Sequence, residues 1–529
     1  MNHTENLPVH LMRDSLTSHT FITGSTGSGK SNTVYQILQE AKASGTHFMV
    51  IEPAKGEYKK VFGSEEGVSV YGTNPKKTPL LRLNPFSFPD DIHVLEHIDR
   101  LVEIFNVCWP MYAAMPAVLK NAIEHAYEDC GWNLTESENP YGNHLYPSFA
   151  DVARNVKTII DSSEYDTENK GAYKGSLLTR LQSLTNGING VIFRQDELTS
   201  EELFDTNVIA DLSRIGSAET KSLLMGILVL KLQEHRMCQD QMIPELKHIT
   251  VLEEAHHLLK RTSFEQPAEG GNLLGKSVEM IANAIAEMRT YGEGFIIADQ
   301  APGLLDMAAI RNTNTKIILR LPDQSDRELV GKAAGLNDDQ ISELSKLPRG
   351  VAAVYQNEWI QPVLCKVDHF KVESNTYSYQ PVKTIVSPDY SDRIRIAELL
   401  SKGTSIQSEI LLSEIVPKLD RMQLSSFVRV SILKSLQLPP AEPRMTKLAP
   451  IISELFPEIK DAVANAYSES CRPAEWTQCA EQTLQKLIIR EIDDQVRRDI
   501  IQAVITDYVF NERNSLTDLE RWHMEGGLH

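Results

Sequence analysis

Short apolar, β-branched runs recur along the first 370 residues, each ending in glycine or polar residues. His19–Thr23, Thr46–Glu52, Asn207–Leu212, His248–Glu254, Gly294–Gln300 and Thr315–Leu321 predict strands. Between them apolar positions fall at helical spacing, as in Thr33–Leu38, Val278–Arg289 and Asp323–Gly335. Ser217–His235 predicts a long helix burying Leu223, Leu224, Ile227, Leu228, Leu230 and Leu232. Strand, helix, strand at the start of the chain is a βαβ unit, from which a parallel sheet follows. Gly350–Tyr355 and Pro362–Val367 predict a hairpin that closes the sheet domain.

Residues 92–206 have a different pattern. Amphipathic runs at His93–Phe105, Ala114–Tyr127, Phe149–Ile160 and Gly175–Leu184, joined by Asn- and Gly-rich stretches, predict a mostly helical insertion. Residues 374–389 are polar and rich in Pro, Ser and Tyr, which fits a linker, and 390–529 read as helical almost throughout. The expected division is therefore 1–91 and 207–373 as the two parts of an α/β core, 92–206 as the insertion, 374–389 as a linker and 390–529 as a helical C-terminal domain. No catalytic constellation emerges from that last domain, which reads as an interaction or capping unit.

Composition narrows the class without naming an activity. The 529 residues are 41% hydrophobic and 24% charged, ordinary values for a globular protein. The net charge of −19 is the wrong sign for a chain that coats nucleic acid with its whole surface, although a local basic channel stays compatible with it. Six scattered cysteines without a C-x-x-C pair suit reduced thiols better than a disulfide frame or a zinc site. With no long apolar run and no signal-peptide pattern, the expectation is a cytoplasmic protein without a membrane partner.

The chemistry enters at Phe21–Ser31, FITGSTGSGKS, where a strand breaks into a glycine-rich turn before a helix. Gly24, Ser25, Thr26, Gly27, Ser28, Gly29, Lys30 and Ser31 have the G-x-x-x-x-G-K-S spacing, with Asn32 next. Such a loop wraps its N–H groups around phosphates, its lysine reaches the β/γ-phosphates, and its serine hydroxyl joins a Mg²⁺ shell. ATP and Mg²⁺ are the expected cofactors.

Downstream strand ends can complete that site. Glu253 and Glu254 close an apolar strand, Glu253 as the expected acid on the Mg²⁺ water shell and Glu254 as the expected catalytic base. Glu52 and Glu57 follow the second strand and are candidates near the γ-phosphate, the alternative being solvated turn glutamates. Gln300 suits a γ-phosphate sensor, or simply a hydrogen-bonded strand terminus. Arg289 at a helix end is a candidate finger for a neighbouring subunit, or a residue that complements the helix dipole, and Arg320 is a second candidate. His256 and His257 are adjacent and cannot chelate together at i, i+4 spacing, so His256 is either a hydrogen-bonding neighbour of the acids or passive.

Together HTFITGSTGSGKSNTV, IEPAKGEY, VIADLSRIGS, VLEEAHHLL and the R-T-Y-G…IIADQAP series resemble the HerA-like ATPases of the FtsK–HerA superfamily over residues 10–370. The resemblance implies a RecA-like core, a homo-hexameric ring and ATP-driven movement along double-stranded DNA. It also implies Lys30 and Ser31 on phosphate and Mg²⁺, Glu254 as the catalytic acid, Gln300 as sensor and Arg289 as finger. Relatives in this family often work with a separate nuclease or NAD-consuming effector, in end resection or anti-phage defence. Two departures stand out: no small β-barrel precedes the phosphate loop, and Glu52 and Glu253 stand where aspartate is usual.

Overall fold

The computed structural model describes residues 7–142, 144–239, 245–262, 273–372, 377–381, 390–402, 409–422, 424–437, 445–469, 472–488 and 492–525. Most of the segment 261–276 and most of the expected linker at 374–389 lie outside these residues.

Nine strands form one sheet: β1 Thr20–Thr23, β2 His47–Glu52, β3 Val68–Gly72, β4 Asn207–Asp211, β5 His248–Glu253, β6 Glu293–Asp299, β7 Thr315–Ile318, β8 Val351–Gln356 and β9 Val363–Lys366. Their order is β3-β4-β2-β5-β6-β1-β7-β8-β9. The strands from β3 across to β7 run parallel, and β8 and β9 return antiparallel as a hairpin. Every residue of β1, β4, β5, β6 and β7 is buried, which is why these strands read as continuous apolar runs without alternation.

β3 has no counterpart in the elements expected from the pattern. It is a five-residue edge strand in which only Val70 and Gly72 are buried, so neither a long apolar run nor a clear polar alternation marks it.

Sheet order decides which side chains meet. β6 lies between β1 and β5, and the register sets Thr23 beside Asp299, Glu253 beside Ala298, and Glu52 beside Asp211. The carboxyl ends of the parallel strands thus share one edge, where open α/β sheets bind ligands.

Residues cluster into two compact units. The first comprises 1–122, 156–193 and 197–382 and contains the whole sheet, so the segment 92–206 is divided between the units. Its helix Ala218–Met237 buries Met225 and Val229 as well as the leucines expected, because it is enclosed on more than one side.

At the amino-terminal edge of the sheet, Glu293 is fully buried. It accepts hydrogen bonds from His248 Nδ1 at 2.8 Å, Thr250 Oγ1 at 2.7 Å and Arg236 Nε at 3.0 Å. Arg236 also donates to Asp205 and to the Phe204 carbonyl, both at 2.6 Å. Burial alone would raise the Glu293 pKa, but His248 and Arg236 hold it below the usual carboxylate range.

The second unit comprises 123–155, 194–196 and 383–529. Its helices from Tyr390–Ser401 to Leu516–Glu525 enclose an apolar core that includes Trp476, Phe456, Ile500, Ile501 and Val504. Buried Arg429 is fixed by Asp420 at 2.6 Å and the Tyr146 carbonyl at 3.1 Å. Lys460 joins three acids, Glu512 at 2.7 Å, Asp507 at 3.1 Å and Glu454 at 3.3 Å.

Candidate active site

The phosphate loop takes its shape from two glycines in the left-handed region, Gly27 at φ 78° and Gly29 at φ 113°. A side chain on either would be strained. Neighbours hold the loop from outside. Ser25 N–H donates to the Arg320 carbonyl after β7 at 2.9 Å, and Gly350 N–H donates to the Ser28 carbonyl at 2.8 Å. Asn32 donates to the Asp368 carbonyl and accepts from Phe370 N–H, both at 2.8 Å. The Ser28 hydroxyl is buried without a hydrogen-bond partner.

Lys30 opens the helix Lys30–Ala43 and is itself buried. Its ammonium lies 2.5 Å from Glu253 Oε2 and 3.9 Å from Glu254 Oε1. The other oxygen of Glu253 accepts the Tyr58 hydroxyl at 2.5 Å. Glu254, just past β5, sits at φ 46° and ψ 51°, a left-handed conformation that a non-glycine residue adopts at a cost of about 1–3 kcal/mol. That turn aims its carboxylate back toward β6, where Gln300 Nε2 donates to Oε1 at 2.6 Å. Gln300 Oε1 in turn accepts from Thr26 Oγ1 at 2.7 Å. One amide thereby links the phosphate loop to Glu254.

Asp299, one residue earlier and fully buried, ties the turn after β5 to the turn after β6. Its Oδ2 accepts from His256 N–H and lies 2.9 Å from His256 Nδ1, and its Oδ1 accepts from Ala301 N–H at 3.0 Å. The Asp299 hydrogen bond raises the His256 pKa, whereas burial lowers that of His257. The histidine rings stack at 4.6 Å, but it is His256 that joins the acids. Glu254, His256 and Asp299 bring three ligand atoms within 4.8 Å of one another, and the hydrogen bonds to Asp299 account for that closeness.

Glu52 is not a solvated turn residue. It is 2% exposed, and its carboxylate accepts Glu57 N–H at 2.6 Å and Tyr58 N–H at 3.2 Å, so it organises the start of the short helix Tyr58–Val61. Burial lifts its pKa from 4.5 to about 8. Glu52, Glu57, Tyr58, Ser31, Glu253 and Glu254 line one small cleft. Asp211, at the end of β4, pairs with Lys59.

The expected residues thus divide. Gly24–Asn32, Glu52, Glu253, Glu254 and Gln300 gather at one sheet edge. Arg289 does not join them: it is exposed and lies in the turn Met288–Tyr291 that precedes β6, at the opposite edge. Arg320 lies beside the phosphate loop through its carbonyl. Tyr58, Asp299 and Asp211 carry no role in the sequence reading, although the first stands in IEPAKGEY and the other two stand next to last in predicted strands.

The oxygen donors of Ser31, Glu253 and Glu254 beside a buried lysine suit a hard divalent cation with a polyphosphate. The family model described as the central domain of helicase HerA matches residues 1–233. The chain is similar to that domain over fewer than half of its residues. Among curated relatives, the DNA double-strand break repair helicase HerA of Sulfurisphaera tokodaii is 24% identical over 378 residues, 69% of this chain and 68% of the relative. The protein of the same name from Sulfolobus acidocaldarius is 25% identical over 370 residues, covering 69% and 68%. Among solved structures, VirB4 of Thermoanaerobacter pseudethanolicus matches 66% of this chain and 90% of its own at 19% identity and a TM-score of 0.49. The bacterial conjugative coupling protein TrwB matches 70% and 89% at 12% identity and the same TM-score. No helix among the described residues is long and apolar enough to cross a membrane.

Proposed function

We propose that this chain is a ring-forming motor that hydrolyses ATP with Mg²⁺ to move along or remodel double-stranded DNA. The observation that carries the reading is the Thr26–Gln300–Glu254 linkage beside Lys30, which joins phosphate contact, water activation and sensing in one hydrogen-bonded line. Lys30 would leave Glu253 for the β/γ-phosphates, freeing that carboxylate for the water shell of the cation, with Ser31 as its other protein contact. A bound Mg²⁺ supplies charge neutralisation on the phosphate oxygens. Glu254 would orient and deprotonate the attacking water, and Gln300 would report on the γ-phosphate to β6. Arg289, exposed and away from its own phosphate loop, would serve a neighbouring copy of this chain in a homo-hexamer.

The DNA substrate is supported by the relatives named as DNA double-strand break repair helicases. A separate nuclease or NAD-consuming effector as partner, a role in anti-phage defence and a cytoplasmic location extend the same reading. The full chain should hydrolyse ATP, duplex DNA should stimulate it, and Lys30→Ala should remove turnover; full turnover in that variant sinks the proposal. The net charge of −19 favours a second reading, an ATP-dependent scaffold that assembles an effector with little translocation. Oligomerisation on ATP without DNA affinity at low salt, where phosphate contacts are strongest, selects it.

A further inference from the structure

A tyrosine pair stands beside Glu253, the acid assigned to the cation. Tyr58 is 1% exposed and its hydroxyl is 2.5 Å from Glu253 Oε1. Tyr35, one helical turn after Ser31 on the helix Lys30–Ala43, is 8% exposed. Their rings meet edge to face with centroids 5.0 Å apart, and Tyr35 also packs edge-on against Phe62 at 5.8 Å. Packing at such distances fixes ring direction, and hydroxyls on fixed rings have little freedom to leave their acceptors. Glu52 adds a third support, because its carboxylate holds the Tyr58 backbone N–H at the start of the short helix.

We propose that Tyr58, its ring packed against Tyr35, is a brace that orients Glu253 for the divalent cation, a positioning role resting on the metal-dependent reading above. Lys30 and Tyr58 hold one oxygen each of Glu253. Once Lys30 has moved to a phosphate, Tyr58 is the remaining donor among these two, and it keeps the carboxylate from turning away. A hydrogen bond to a charged acceptor matters more than a neutral one, so its loss is read most directly in cation dependence. The brace also gives IEPAKGEY a purpose at both ends, Glu52 supporting the turn and Tyr58 reaching the acid across from it.

The test is binding of a fluorescent, non-hydrolysable ATP analogue to the full chain, first in EDTA and then across a Mg²⁺ titration. Tyr58→Phe should bind the analogue in EDTA as the wild type does, while its half-saturating Mg²⁺ rises about tenfold. Tyr58→Leu should shift the same midpoint in the same direction, so the proposal does not hang on one variant folding. Phe62→Leu loosens the shared aromatic cluster but keeps both hydroxyls, and should leave the Mg²⁺ midpoint in place. An unmoved midpoint in both tyrosine variants, or an equal shift in Phe62→Leu, overturns the brace. Wild-type binding that ignores Mg²⁺ altogether removes the metal reading itself, a different and separable result.

Discussion

The two ends of the sheet bury charge in opposite ways. At the amino-terminal edge, Glu293 takes three donors and Arg236 spreads over Glu293, the part-exposed Asp205 and a carbonyl, while His248 Nε2 is buried without a partner. At the carboxyl edge, Glu253 takes a lysine and a tyrosine, Glu254 is held in a left-handed turn, the Ser28 hydroxyl has no partner, and the residues line a cleft. The same strands, β5 and β6, supply both. A buried charge with its partners complete is a structural element, whereas one whose partners can be exchanged for a ligand is set up for chemistry.

Substitutions can separate the two edges. The largest effect on turnover belongs to the carboxyl edge: Glu254→Gln should retain ATP binding while kcat falls by about 10²- to 10⁴-fold, measured by single-turnover hydrolysis and nucleotide titration. A small kcat loss would move the base elsewhere. At the other edge, Glu293→Ala should cost about 3 kcal/mol or more of stability, because Arg236 keeps a buried charge with fewer partners. Denaturant unfolding measures it, and the folded variant should keep the wild-type KM for ATP; a changed KM with unchanged stability would erase the contrast between the edges.

The smallest effect concerns Glu52. Its folded pKa of about 8 lies above the ordinary carboxylate value of 4.5, so the neutral form is favoured by folding. That contribution is complete below about pH 4.5 and is lost as the pH rises toward 8. Glu52→Gln, which stays neutral, should flatten this part of the nucleotide-free stability profile, followed by thermal unfolding from pH 5 to 8. An unchanged slope would mean that Glu52 is solvated enough to ionise freely.

The strands that hold this site were legible because burial on both faces leaves long apolar runs, and the residues ending them, Glu253, Glu254 and Gln300, stand out as polar breaks. β3 was not legible, being short, at an edge and only partly buried. Asp299 was visible as a polar strand end, but its function as a tie between two turns depends on β6 lying beside β5, a fact of sheet order and not of local sequence. Tyr58 was hidden for a related reason: it is distant in sequence from Glu253, and nothing near it in the chain announces an acid as its acceptor. Arg289 shows the limit from the other direction, since a helix-end arginine gives no sign of which sheet edge it will occupy.

The lacing of the phosphate loop to β7, to Gly350 and to the segment after β9 bears on how fast and at what entropic cost a nucleotide is taken up. A loop already fixed by its neighbours loses little freedom when phosphate arrives. Association should then be limited by exchange of Lys30 between Glu253 and the incoming phosphates, and not by a search through loop shapes. The empty protein would meet its ligand with the cradle made and the lysine as the moving part.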